Sequence, residues 1–187
     1  ENALKTLITW SDPHPEMSGR YINEIAAEFD LSVLDTLEKL SPGGAIYFMM
    51  DENDIERIMT SENAMIGSDG LPEDEHPHPR LWGTFPRVLG RYVREKKIMP
   101  LHNAVHRMTG LSARNFKLKN RGLIKVNYFA DITIFDPNDV IDKATYENPK
   151  QLAAGIVEVF VNGQLAWKDG QVSSTHSGQV IMRQVTL

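Results

Sequence analysis

No cysteine occurs among the 187 residues, which excludes disulfides and thiolate catalysis within the chain and leaves the redox compartment undecided. No basic excess exists either: 20 Lys and Arg stand against 25 Asp and Glu, a formal charge of −5. The cations are scattered, so the basic patch or stripe that holds nucleic acid is missing and no nucleic-acid partner is expected. No apolar run approaches the roughly 18 to 20 residues that span a bilayer, and no membrane partner is expected. Glu1 is not followed by the charged and apolar regions of a signal peptide. The missing initiator Met suggests processing or truncation. The compartment stays open, with the cytoplasm slightly favoured over the periplasm. Neither the glycine pattern of a P-loop nor a G-x-S-x-G elbow is present, which argues against nucleotide binding and against a serine hydrolase.

What is present is a folding composition: 41% hydrophobic and 24% charged residues with 10 prolines exceed what a disordered chain carries. Residues 4–10 are β-prone and run into Ser11-Asp12-Pro13-His14-Pro15, whose prolines end the strand. Ser18 is placed to cap a helix with Ile22, Ile25, Ala26 and Phe29 on one 3.6-period face. Ser32 caps a second, with Leu34, Leu37 and Leu40 inward. The nearly continuous apolar run 45–50 predicts a strand buried on both faces of a parallel sheet. Residues 52–60 then form a crossover helix, and 64–67 the next strand of a βαβ unit. Met49, Met50, Met59 and Met65 are expected in the core. Residues 80–96 predict one helix, and Pro100 opens another that stops near Gly110. Beyond about residue 117 the character turns to β, with strands at 130–135 and 156–161. Asn162-Gly163 predicts a hairpin into Leu165-Ala166-Trp167. The fold class is α/β.

The most informative side chain is that of Asp69 in Ser68-Asp69-Gly70, where a strand is expected to end and a loop to begin. Active sites of parallel α/β folds lie at such strand ends, and a carboxylate there can take up and return a proton. The competing reading is turn chemistry, Asp bonding nearby amides and Gly accepting a positive φ. His76 and His78 have the i, i+2 spacing that puts two imidazoles on one side of a strand, as metal sites use, but Pro77 and Pro79 disfavour a strand. A place at the mouth of a pocket or on an exposed loop suits them better. His102 and His106 share a helix face, but Asn103 stands where the H-E-x-x-H pattern has its general base. They are read as surface or packing residues.

Several stretches together resemble the C-terminal part of the D-aminoacylase family, the N-acyl-D-amino-acid deacylases of the amidohydrolase superfamily. They are Ile8-Thr9-Trp10-Ser11 with His14-Pro15-Glu16, Met65-Ile66-Gly67-Ser68-Asp69-Gly70-Leu71-Pro72, and His76-Pro77-His78-Pro79-Arg80 with Gly83-Thr84-Phe85-Pro86-Arg87. Met108-Thr109-Gly110-Leu111-Ser112-Ala113, Ala130-Asp131 with Phe135-Asp136-Pro137, and Val161-Asn162-Gly163 extend the match over nearly the whole chain. The resemblance implies the C-terminal portion of a (β/α)₈ barrel with part of a small β-sandwich. Residues 1–43 would belong to an inserted subdomain, 44–117 to the last barrel strands and helices, and 118–187 to the sandwich.

Asp69 matches the family's catalytic aspartate. Its implied role is to take a proton from a zinc-activated water and pass it to the departing amino group. Ser68, Gly70, His76 and His78 are pocket candidates. The family's zinc ligands, a His-x-His, a cysteine and later histidines, have no counterpart here and would lie upstream. Zinc is therefore expected in the complete enzyme, with no tight binding to this segment. The implied partners are an N-acyl-D-amino acid and the remaining N-terminal portion of the enzyme; unpaired edges, which are adhesive, add self-association as a further expectation. The chain alone is expected to be inactive. The alternatives are a non-catalytic interaction module, one chain of a split enzyme, or another cyclic-amidase branch. The neutral or acidic nature of the amino acid is not legible.

Overall fold

A computed structural model describes residues 5–182, so the expected start of the first strand at Leu4 lies outside the described residues. Two compact units form. One runs to Ile55 and includes Asp69–Trp82 and Ala144–Gln151; the other holds Glu56–Ser68, Gly83–Lys143 and the chain from Leu152 onward.

In the first unit β1 (Leu7–Ser11) pairs antiparallel with β2 (Gly43–Ile46), Leu7 opposite Ile46 and Ser11 opposite Gly43. Ile8 joins Met17, Ile22, Ile25 and Leu40 in a buried cluster beneath α1 (Ile22–Phe29) and α2 (Val33–Lys39). Each such side chain contributes about 1.5–3 kcal/mol when fully buried. Ser18 does not cap α1. It closes a 3-10 turn at Pro15–Met17, its amide donating to the Pro15 carbonyl, and α1 begins after Tyr21 with no side-chain cap. The intervening Gly19 takes φ +80 and donates to the Ile8 carbonyl at 2.7 Å, which ties the chain back to β1 before the helix can start. Ser32 does cap α2, accepting from the Asp35 amide at 3.2 Å. Leu34 is 66% exposed rather than inward, because Val33, Thr36, Leu37 and Leu40 already span the inner face and position 34 falls about 100° away from Val33.

The expected parallel βαβ unit does not form among the described residues. β2 ends at Ile46 and is antiparallel to β1, and 64–67 contain no strand. A strand exists only as a member of a ladder, and no described segment lies parallel to either stretch. Residues 47–50 therefore leave the sheet as a loop, and Met49 and Met50, expected in the core, are 73% and 69% exposed. Met65 is also exposed and Met59 only half-buried. The crossover helix is present as α3 (Glu52–Thr60), but none of its residues is buried.

The helix expected at 80–96 forms, but it changes character along its length. α4 (Arg80–Arg87) continues as a π-helical stretch over Val88–Glu95. Pro86 lies inside α4; having no N–H, it breaks the i→i−4 ladder where the wider turns begin. Val88, Leu89, Gly90 and Tyr92 are buried. α5 (Leu101–Met108) ends at Thr109, next to Gly110 as expected, and Gly110 then opens a further helix that was not expected, α6 (Gly110–Asn115). β3 (Ile132–Phe135), β4 (Ile156–Val161), β5 (Gln164–Lys168) and β6 (Gln171–Val172) form one antiparallel sheet in chain order. Val161 pairs with Gln164 across Asn162 (φ 51) and Gly163 (φ 80), the left-handed pair that a tight hairpin requires. No described helix is long and apolar enough to cross a membrane.

Candidate active site

Asp69 sits in a loop rather than at the end of a strand, and it is Asp69 that adopts the left-handed backbone, φ 48. Asp tolerates that region better than most residues because its short side chain bonds locally. Gly70 is required for a different reason from the expected positive φ: a Cβ there would lie 2.7 Å from Leu81 Cδ1 and 2.8 Å from Leu81 Cα. The loop thus presses against the first turn of α4, which brings the Arg80 Nη2 to 2.9 Å from Asp69 Oδ2. The Asp69 side chain is 83% exposed. Its carboxylate is held in direction by the guanidinium yet open to a reactant. Ser68, the preceding residue, is half-buried.

His76 and His78 flank Pro77, which is fully buried. The two imidazoles have separate duties. His76 Nε2 lies 2.6 Å from the Tyr146 carbonyl; a carbonyl only accepts, so Nε2 carries the hydrogen. The His76 backbone amide donates to the Thr9 carbonyl at 3.1 Å, anchoring the loop to β1. His78 Nδ1 accepts from the Arg80 amide at 3.0 Å, which places the hydrogen of the neutral ring on Nε2. The His78 ring also stands edge-on to Tyr146, centroids 5.3 Å apart, and Tyr146 packs on Phe48 at 4.7 Å. Phe48 in turn lies 6.3 Å from Tyr21. Burial pushes the Tyr21 phenol above its usual value, with the charges of Glu147 and Glu24 adding to the rise.

Beside these residues opens a cavity of about 420 Å³ lined in part by Trp10, Tyr47, Met49, Met50, Leu71 and Arg80. His78 and Asp74 also reach it. Its wall joins apolar side chains to the Arg80 guanidinium and the Asp74 carboxylate, so it offers a hydrophobic surface with a fixed charge of each sign. Met49 and Met50, on the loop that leaves β2, line this opening. Of the five residues singled out from sequence, Asp69, Gly70, His76 and His78 fall in one compact unit together with Arg80. Arg80 and Tyr146 were not singled out. Arg80 had a signal, two residues past His78 in the same short motif. Tyr146, some 70 positions downstream, had none. Among the described residues no group of three or more His, Asp or Glu side chains converges to hold a metal ion. His102 and His106 are exposed on α5.

Comparison with known proteins places the chain in a family. Residues 37–166 match the Amidohydrolase family. The D-aminoacylase of Alcaligenes xylosoxydans xylosoxydans is 53% identical over 97% of this chain and 37% of its own length. A crystal structure of D-aminoacylase superposes with a TM-score of 0.93 at 54% identity, over 97% of this chain and 38% of that one. The N-acyl-D-glutamate deacylase of Bordetella bronchiseptica superposes with a TM-score of 0.87 at 48% identity, over 89% of this chain and 35% of that one. That enzyme was solved with zinc and a phosphonate that mimics the tetrahedral intermediate of its reaction. The chain thus spans little more than a third of the relatives it matches.

Proposed function

The chain belongs to the amidohydrolase family, and from that premise we propose that it is the C-terminal segment of a zinc-dependent deacylase. The reaction is hydrolysis of the amide bond of N-acyl-D-amino acids, giving a carboxylate and a free D-amino acid. The fold class is α/β, a part of an amidohydrolase. Within it we divide the chain into an inserted subdomain (1–43), the last strands and helices of the barrel (44–117) and a β-sandwich portion (118–187).

The observation that carries this reading is the Asp69 carboxylate, held 2.9 Å from Arg80 in a unit whose cavity is lined by Arg80, Asp74, His78 and apolar side chains. Amide hydrolysis needs a proton removed from the attacking water and a proton delivered to the leaving nitrogen, since an amide anion is too basic to depart. One carboxylate can do both in turn, the general acid–base role of Asp69. Water adds to the carbonyl carbon, the C–N bond of the tetrahedral intermediate breaks, and the proton parked on Asp69 leaves with the amine. Arg80 orients that carboxylate. As the cation on the cavity wall, it also attracts the carboxylate that every N-acyl amino acid carries. The apolar wall suits the acyl or side-chain carbons.

A catalytic zinc takes three protein ligands, and the described residues do not supply such a set. On this reading its ligands come from the part of the enzyme that the relatives have outside the matched stretch, and zinc supplies Lewis-acid activation there.

The test compares a protein of the relatives' length with the 187-residue chain, by zinc content and by turnover of N-acetyl-D-amino acids. The longer protein is expected to hold stoichiometric zinc and to hydrolyse the D-substrates, and Asp69→Asn should lower kcat by about 10²–10⁴-fold, the usual weight of a general acid–base. Metal-dependent turnover by homogeneous 187-residue material, or full activity of the Asn variant, overturns the reading.

A further inference from the structure

The residues 76–80 that lead into α4 do not hold their shape by their own secondary structure. They contain two prolines, and only Arg80, at their end, belongs to a helix. Their partner is a stretch more than sixty residues away in sequence, Ala144–Gln151, which belongs to the same compact unit. That stretch is itself a closed turn: the Thr145 amide donates to the Asn148 carbonyl at 3.1 Å, the Asn148 amide to Thr145 Oγ1 at 3.0 Å, and Gln151 Nε2 to the Asn148 carbonyl at 3.0 Å. Ala144 and Pro149 are buried on either side of it. The turn presents one residue, Tyr146, to both imidazoles. Its carbonyl takes the His76 Nε2 hydrogen at 2.6 Å, and its ring meets the edge of His78 at 5.3 Å while resting on Phe48 at 4.7 Å.

We propose that Tyr146 is a positioning residue for the Asp69–Arg80 pair, acting through the two histidines. The inference rests on the proposed role of Asp69. The linkage is a chain of directional contacts. Tyr146 fixes the plane of the His78 ring, and only in that plane does Nδ1 face the Arg80 amide at 3.0 Å. That bond sets the entry of the chain into α4, and hence the origin of the guanidinium that lies 2.9 Å from Asp69 Oδ2. Pro77, fully buried between the two imidazoles, keeps the loop from rotating about its own axis. The ring carries this effect and the phenol oxygen does not. Tyr146→Phe should therefore behave as the parent and Tyr146→Leu should not.

The experiment is hydrogen exchange of the stretch 76–82 together with steady-state kinetics, in the full-length enzyme. Tyr146→Leu is expected to speed exchange of the Arg80 amide about tenfold, the size of one lost hydrogen bond, with kcat falling by a similar factor and KM less affected. Tyr146→Phe should leave both within about twofold of the parent. His78→Ala removes the acceptor itself, so adding it to Tyr146→Leu should cost no more than either change alone, as for residues acting in one chain. Unchanged exchange at Arg80 in Tyr146→Leu, or fully additive losses in the double variant, overturns the proposal. The Asp69→Asn arm is separate: undiminished turnover there removes the catalytic reading, and the exchange data alone then decide whether Tyr146 positions the pair.

Discussion

A methyl group at position 70 has nowhere to go, since two of the atoms it would meet within 3 Å belong to Leu81 and one of these is backbone. Leu81 Cδ1 can swing away but Leu81 Cα cannot without moving the first turn of α4. Gly70→Ala is therefore expected to destabilise the fold by about 1–3 kcal/mol, the usual cost of overpacking, read as a lowered urea midpoint. It should also loosen the Asp69–Arg80 contact, because Arg80 immediately precedes Leu81. A variant as stable as the parent would mean the loop yields freely there. Tyr21 gives a second test. Its raised pKa comes first from burial and then from Glu147, so the neutral phenol is favoured in the folded state. That contribution to stability is present below the unfolded value of about 10 and is lost as pH climbs through the higher folded value. Ultraviolet titration should find the Tyr21 midpoint above the ordinary one, and Glu147→Gln should lower it only part of the way. A return to the ordinary value in Glu147→Gln would show that charge, not burial, dominates.

Among the secondary-structure elements, one buried cation stands in for a missing ladder. Arg107 on α5 is 7% exposed, and its guanidinium donates to four carbonyls: Met59 at 2.9 Å, Thr60 at 3.1 Å, Ala64 at 3.2 Å and Ser61. These are the last carbonyls of α3 and the turn beyond it, groups that a helix end leaves without partners. The Arg107 carbonyl also accepts from the Ile66 amide at 3.4 Å. The stretch expected as a parallel strand is thus held at the end of α3 by one residue, through its side chain at Ala64 and its backbone carbonyl at Ile66. Arg107→Lys keeps the charge, but three donors on a point ammonium cannot serve four carbonyls arrayed around a planar fork. The expected loss is about 1.5–3 kcal/mol, that of a charged hydrogen bond, with faster hydrogen exchange confined at first to 59–66. Global loosening without local change at 59–66 would count against the capping role.

The same contrast explains what was legible. The face of α1, the Ser32 cap and the Asn162-Gly163 hairpin rest on neighbours within a few residues, and all are as read. The strands at 45–50 and 64–67 depended on ladder partners that local pattern does not specify. Ser18 lost its cap to a contact between Gly19 and β1, which no helix signal encodes.

For the whole molecule, the short motifs located the site but not its construction. Asp69, Gly70, His76 and His78 were readable because they share a dozen residues. The contacts that orient them come from Arg80, read only as the end of a motif, and from Tyr146, which only the folded chain brings near. The molecule also carries apolar side chains with nothing over them: Ile124 is 92% exposed, Val126 84%, Val172 81% and Val180 89%. Single exposed apolar residues are ordinary, but runs of them mark surfaces that another chain segment covers. Ile124 and Val126 lie in a stretch with no strand or helix of its own. The chain spans 37% of the D-aminoacylase it matches, and on the reading above the rest of such an enzyme is what covers these faces. The 187-residue chain by itself is then expected to bind an apolar fluorescent dye and to elute from size exclusion at a concentration-dependent volume. A protein of the relatives' length should do neither. Ile124→Ser with Val126→Ser should weaken dye binding in the short chain without altering its fold by circular dichroism, and the same pair should destabilise the longer protein, where these side chains would be buried. Dye-free, concentration-independent elution of the short chain would mean that its exposed apolar residues are solvated one by one and cover nothing.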